Sequence, residues 1–237
     1  MAAARGKRVV EAEGFVLRDS SGKMRSMLAV MEGHPKLVFF DAQEKARAQI
    51  TLSPPGPGLV FHDEAGTARA VLALTDKGPT IEFCRKGGKK GASLTVSKDG
   101  ACLDLADGEG KLRAGLDGSC KWPKLWMSDA EGRPRVVIQI KDEPSLMIFG
   151  EDGESGISIQ MAAGEPGVSM STQGDRPLVT LGVRKGAPML VLWDKSGQPR
   201  ASLLVDGDKQ GLGLWDKKGR EVSTAPQRPQ GRRTRQS

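Results

Sequence analysis

A pattern of aspartate, two residues, glycine, two residues and arginine recurs about ten times along this chain at a near-constant step of 22 residues. The anchor aspartates are Asp19, Asp41, Asp63, Asp107, Asp129, Asp194 and Asp216, and Arg85, Gly150 and Ser171 stand at the three places where the period expects another. All steps between anchors are 22 residues, apart from two of 21 and one of 23. Self-similarity at such a period makes each unit one supersecondary piece that buries its apolar face only against its neighbours, so the architecture is an array.

The stretch 59–74, LVFHDEAGTARAVLAL, shows what one unit folds into. Leu59 and Phe61 alternate with Val60 and His62; turn residues follow from Asp63 to Gly66; then Ala70, Leu72 and Leu74 alternate with Val71 and Ala73. An aspartate at the first turn position accepts hydrogen bonds from amides ahead of it. A glycine three residues on takes the left-handed conformation that closes a type I turn with a bulge. The pattern therefore predicts a β-hairpin per unit. Glycine holds that position in nine of ten units (Gly22, Gly66, Gly88, Gly110, Gly132, Gly153, Gly174, Gly197 and Gly219), and Glu44 departs from it.

Apolar residues recur two before each anchor, as in Leu17, Phe39, Phe61 and Phe83, and nine after it, as in Leu28, Ile50, Leu72 and Leu94. A period of two places them on one face of the sheet with the small Ser26, Ala48, Ala70, Ala92, Ala114 and Ala201, and this face is expected to be the core. Three or four large apolar side chains per unit, at roughly 1.5–3 kcal/mol each, do not offset the ordering of 22 residues, so only the array is stable.

The remaining connections, such as MEGHP at 31–35 and RKGAP at 184–188, are equally short, so each strand is expected to pair with its sequence neighbour. About twenty strands at roughly 4.8 Å would make a sheet near 95 Å wide, too wide for a twisted sheet to stay open without curling. The fold class expected is all-β: about ten hairpin repeats forming a curled antiparallel sheet or a β-solenoid, with a five-bladed β-propeller as the alternative. The domain layout expected is a lead-in over 1–14, one elongated repeat domain over 15–224, and a disordered basic tail over 225–237.

The formal net charge is +7, but Arg228, Arg232, Arg233 and Arg235 lie in that tail, which leaves 7 − 4 = +3 for the rest. A nearly balanced body disfavours nucleic-acid binding through a broad basic face. The basic start is not followed by an apolar stretch, so a secretory signal is not expected, nor is a membrane span. Three cysteines without framework spacing suit a reducing compartment, and the cytoplasm is the expected location.

Six units carry an arginine six residues past the anchor: Arg25, Arg47, Arg69, Arg113, Arg135 and Arg200. By parity these point away from the apolar stripes. They are candidates for binding a polyanion, such as an acidic glycan or a nucleic acid backbone, and the simpler expectation is that each covers its hairpin and pairs with a nearby carboxylate. The turn at 85–90, RKGGKK, replaces the aspartate with positive charge and reads as a solvated basic loop, since no helix follows to make it a phosphate cradle. On the same side, Phe40, Trp126, Phe149, Trp193 and Trp215 join Val16, Val38, Val60 and Val191, which points to self-association or a protein partner there.

No zinc-ligand spacing links His34, His62 and the cysteines, and the acidic turns, including Asp206 and Asp208, lack the density of a calcium loop. No nucleophile elbow or nucleotide fingerprint is present. No metal, no cofactor and no catalysis are expected.

At FVLRDSSGKMRSML, residues 15–28, and its copies, the chain resembles uncharacterised bacterial proteins built from DxxGxxR repeats. That resemblance spans nearly the whole chain and implies an all-β array without an implied activity. The turn is also loosely similar to the hairpin repeats of Rhs shells, but those are marked by tyrosine, and this chain has none. The function expected is a non-catalytic structural or scaffolding repeat protein that self-associates or presents a protein-binding surface, with polyanion binding as the alternative.

Overall fold

The computed structural model describes residues 10 to 225 apart from 53, 55, 119, 120, 173 to 175 and 208. The first nine residues and the basic tail from 226 onward, with Cys120, Gly174 and Asp208, lie outside the described residues. Those described contain strands, turns and bends and no helix.

The chain divides into two compact units, one up to residue 120 and one from residue 121. The first unit holds β1 (Gly14–Arg18), β2 (Met24–Met31), β3 (His34–Phe40), β4 (Ala46–Thr51), β5 (Gly58–His62), β6 (Ala68–Thr75), β7 (Gly78–Cys84), β8 (Lys90–Ser97), β9 (Gly100–Ala106) and β10 (Leu112–Asp117). The second holds β11 (Lys124–Ser128), β12 (Pro134–Ile140), β13 (Pro144–Phe149), β14 (Gly156–Ala162), β15 (Glu165–Ser171), β16 (Val179–Arg184), β17 (Ala187–Trp193), β18 (Pro199–Asp206), β19 (Lys209–Trp215) and β20 (Glu221–Ala225). Within each unit every strand pairs antiparallel with its sequence neighbours, the meander the short connections predict. Among the described residues the edge strands β1 and β20 have one partner each, β2 and β19, so neither unit closes into a barrel there.

A propeller of two repeats per blade would interrupt the ladder after every fourth strand. It runs on instead: β4 pairs with β5 through Ala48 and Phe61, and β8 with β9 through Leu94 and Leu103. The hairpin sheet, not the propeller, is the observed arrangement.

The aspartate turn is built as its residues require. In the 63–67 turn the Gly66 amide donates to the Asp63 carbonyl at 3.0 Å, and the Asp63 amide donates to the Thr67 carbonyl at 2.9 Å. Asp63 Oδ1 accepts the amides of Ala65 and Thr67, each at 3.0 Å. Gly66 sits at φ 81°, the left-handed region closed to most side chains, and the ladder slips between Phe61 and His62 as a bulge demands. Where the glycine is missing, Glu44 takes φ 60°, and its Oε1 accepts the Met24 amide of the preceding hairpin at 2.8 Å.

Two cross-strand rows form one face of the first unit. One runs Phe15, Leu28, Leu37, Ile50, Leu59, Leu72, Ile81, Leu94, Leu103, Leu116; the other runs Leu17, Ser26, Phe39, Ala48, Phe61, Ala70, Phe83, Ala92, Leu105, Ala114. The second unit repeats the first row as Leu125, Ile138, Leu146, Ile159, Val168, Leu181, Leu190, Leu203, Leu212 and Ala225. These stripes share a face, as the sequence indicates, but they are not the core. Phe61 is 48% exposed, Leu72 49% and Phe83 56%, whereas Val38 and Val191, read as outward, are buried.

The physical reason for this reversal lies in the neighbours each face supplies. The face carrying Val38 also carries the arginines, whose guanidinium groups reach across to carbonyls of the next hairpin. Val38 itself stands between the long side chains of Met27 and Gln49, whereas Phe39 stands between the small Ser26 and Ala48. On the opposite face leucine, phenylalanine and alanine stand side by side, and the larger of them are about half exposed, as with Leu72 and Phe61.

Candidate functional site

The two faces of the sheet offer different chemistry. On the arginine face, Arg69 Nη1 meets Asp63 Oδ2 of its own turn at 3.4 Å while its Nε donates to the Cys84 carbonyl of the next hairpin at 2.7 Å. Arg47 does the same, with Asp41 Oδ2 at 3.2 Å and the His62 carbonyl at 3.1 Å. Arg25 bridges Asp19 and the carbonyl of Asp41, and Arg200 pairs with Asp194 and donates to the carbonyl of Asp216. Arg113 and Arg135 face Asp107 and Asp129 at 3.4 and 3.7 Å. The carboxylate orients the fork and the fork ties one hairpin to the next, a task a planar guanidinium with several fixed donors performs well.

The aspartates are held below the usual carboxylate range. For Asp41 and Asp63 the leading cause is the amide four residues on, Lys45 or Thr67, with the arginine adding to it. For Asp19 and Asp194 it is the hydroxyl of Ser21 or Ser196. They stay ionised as turn acceptors at neutral pH, a structural assignment.

The basic turn at 85–90 is the same device rearranged. Position 91, where an arginine is due, is Gly91, and Arg85 at the anchor position sends Nη2 to the Ala106 carbonyl at 3.3 Å. A Cβ at Gly91 would sit 3.5 Å from Arg85 Cγ and 3.2 Å from the Phe83 carbonyl oxygen, so the Arg85 stem runs over the space that glycine leaves open. Lys90 pairs with Glu82 at 3.0 Å.

Phe40, Trp126, Phe149, Trp193 and Trp215 also lie on the arginine face and are half-buried. Trp193 Nε1 donates to Thr180 Oγ1 at 3.1 Å, and the Trp215 ring lies over Gly213, where any Cβ would strike it at 2.4 Å. These aromatic rings are partly taken up by their own chain, whereas the opposite face leaves Phe39, Phe61 and Phe83 open. Parity places those phenylalanines together on one face, where their cross-strand neighbours are the small Ala48, Ala70 and Ala92, and which face is the more covered is not stated by the residue pattern.

Among the described residues no group of three or more histidine, cysteine, aspartate or glutamate side chains is placed to hold a metal ion. A depression of about 380 Å³ in the second unit is lined by Met147, Phe149, Glu154, Ser158, Gln160 and Ser169 among others, and among the described residues no histidine, cysteine or lysine stands in its wall. No helix among the described residues is long and apolar enough to cross a membrane. The sequence matches no protein-family model and no curated protein.

Proposed function

We propose that the protein is a non-catalytic structural repeat protein, a scaffold that self-associates through the surface of its β-hairpin array. The observation that carries this reading is the uncovered apolar face of the first unit, with Phe39, Phe61, Phe83, Leu28, Ile50 and Leu72 each between 47 and 56% exposed. Continuous apolar surface on this scale marks an interaction site in a folded protein. The Asp–Arg bridges serve the array itself, which supports a scaffold over a reactive site. Three cysteines, with Cys84 a free thiol, support placement in the cytoplasm.

Light scattering on the purified protein at low and high salt tests the reading. A multimer whose mass persists in high salt is expected, because apolar contacts are not screened. A monomer at every concentration and salt would overturn it.

The second reading is a polyanion-binding module using Arg25, Arg47, Arg69, Arg113, Arg135 and Arg200. Their recurrence on the same face of the sheet within each unit favours it, as does the side-chain exposure of Arg47, Arg69 and Arg113 at 35 to 40%. Salt-sensitive retention on heparin, lost in a folded Arg47→Ala/Arg69→Ala/Arg113→Ala variant, is the result that reading requires.

A further inference from the structure

We infer that the occupant of the first unit's apolar face is the same face of a second copy of this chain, seated one strand out of step. This rests on the self-associating reading above and adds the surface, the partner and the register.

The shape of the face carries the inference. Along the row from Phe39 to Ala92, every second strand bears a phenylalanine and every strand between bears an alanine: Phe39, Ala48, Phe61, Ala70, Phe83, Ala92. The rings are 47, 48 and 56% exposed and stand as ridges, while the alanines leave gaps between them. Strands lie roughly 4.8 Å apart, so the ridges recur about every 9.6 Å. A partner sheet packed at about 10 Å fills the gaps only if it carries bulk at the same interval and is displaced by one strand. The repeat of this chain supplies that interval, and a second copy related by a two-fold axis brings the same ridges to the facing gaps.

Size and charge agree with this. The two rows contribute twenty positions, none of them charged, close to the roughly 20–30 residues a side of a stable interface. The second unit's equivalent row, from Met127 through Ile148, Ile157 and Met170 to Leu192, lacks the phenylalanine–alanine alternation, so the zipper belongs to the first unit.

The test fills the gaps without removing apolar surface. In Ala48→Phe/Ala70→Phe, the dissociation constant from concentration-dependent light scattering is expected to rise about tenfold or more, and a folded Phe61→Asp to do the same. Ala201→Phe on the second unit should leave it unchanged. Circular dichroism and a thermal melt check that each variant folds. Equal or tighter association of Ala48→Phe/Ala70→Phe would show a merely sticky patch and overturn the zipper. A multimer in which neither that variant nor Phe61→Asp changes the mass would place self-association elsewhere, overturning this inference and sparing the scaffold reading. A monomeric wild type would remove both. Flotation of the wild type with phosphatidylcholine vesicles would make lipid the occupant and overturn the inference.

Discussion

Arg69 reaches past its own hairpin and donates from Nε to the backbone carbonyl of Cys84, fifteen residues on, at 2.7 Å. The same guanidinium is oriented by Asp63 at 3.4 Å, so the aspartate of the repeat shapes its turn through one carboxylate oxygen and aims the arginine through the other. Where aspartate and arginine recur together, as in the units of Arg25, Arg47, Arg69 and Arg200, the pair fastens one hairpin to the next.

Arg69→Ala is expected to lower the thermal midpoint by about 2–4 °C, the effect of losing one charge-assisted hydrogen bond at a half-exposed site. Arg69→Lys should recover little of it, because an ammonium cannot serve both Asp63 and the Cys84 carbonyl in the fixed fork geometry. A lysine variant as stable as the wild type would show that charge alone matters.

Arg85 and Gly91 should behave as one unit. Arg85→Asp alone removes the bond to Ala106 with no arginine at 91 to replace it, and Gly91→Arg alone meets the Arg85 stem. The double variant Arg85→Asp/Gly91→Arg restores the common pattern and is expected to be more stable than the sum of the single changes by about 1 kcal/mol. Denaturant melts of all four proteins measure this coupling, and strict additivity would separate the two positions.

Acid should loosen the array below about pH 4. The carboxyls of Asp41, Asp63 and Asp216 are lowered from the usual 3.8, first by the backbone amides of Lys45, Thr67 and Arg220. In such a group the unfolded chain binds the proton more readily than the folded one. The stabilisation is therefore complete above the unfolded value and is lost as pH falls through the lower folded value. Thermal midpoints should be flat from neutral pH to about pH 5 and fall steeply below about pH 4. A midpoint rising through that acid range would reverse the sign.

Ala163 holds φ 53° ahead of Gly164 at φ 77° in a two-residue hairpin turn, a conformation that costs a residue with a Cβ. Ala163→Gly is expected to stabilise by about 1 kcal/mol, read in a denaturant melt. Unchanged or lower stability would mean that the flexibility gained by the unfolded chain offsets the strain removed.

Much of this was legible from residues alone. The spacing of Asp63 and Gly66 gives the turn, and the alternation around Leu59 and Ala70 gives the strands and the face they share, because both depend on local geometry. Which face would be covered was not legible. Val38 and Phe39 are adjacent and equally apolar, yet Val38, between Met27 and Gln49 across the strands, is buried, while Phe39, between Ser26 and Ala48, is 47% exposed. The Arg85 substitution likewise reads as a loose basic loop until the gap at Gly91 is seen beside it. Such relations link residues across strands, and a linear period does not record them.

Among the described residues the buried side chains are few, with Val38, Ala106, Ala187 and Val191 the apolar ones, so covering the apolar face would add a large share of the burial that stabilises the sheet. If assembly covers the apolar face, folding and association are linked, and the thermal midpoint must depend on protein concentration. The most direct measurement is therefore the midpoint over a hundredfold range of concentration. A midpoint that climbs with concentration is the predicted result, and one that stays constant while unfolding remains reversible would contradict a fold stabilised by its own copies.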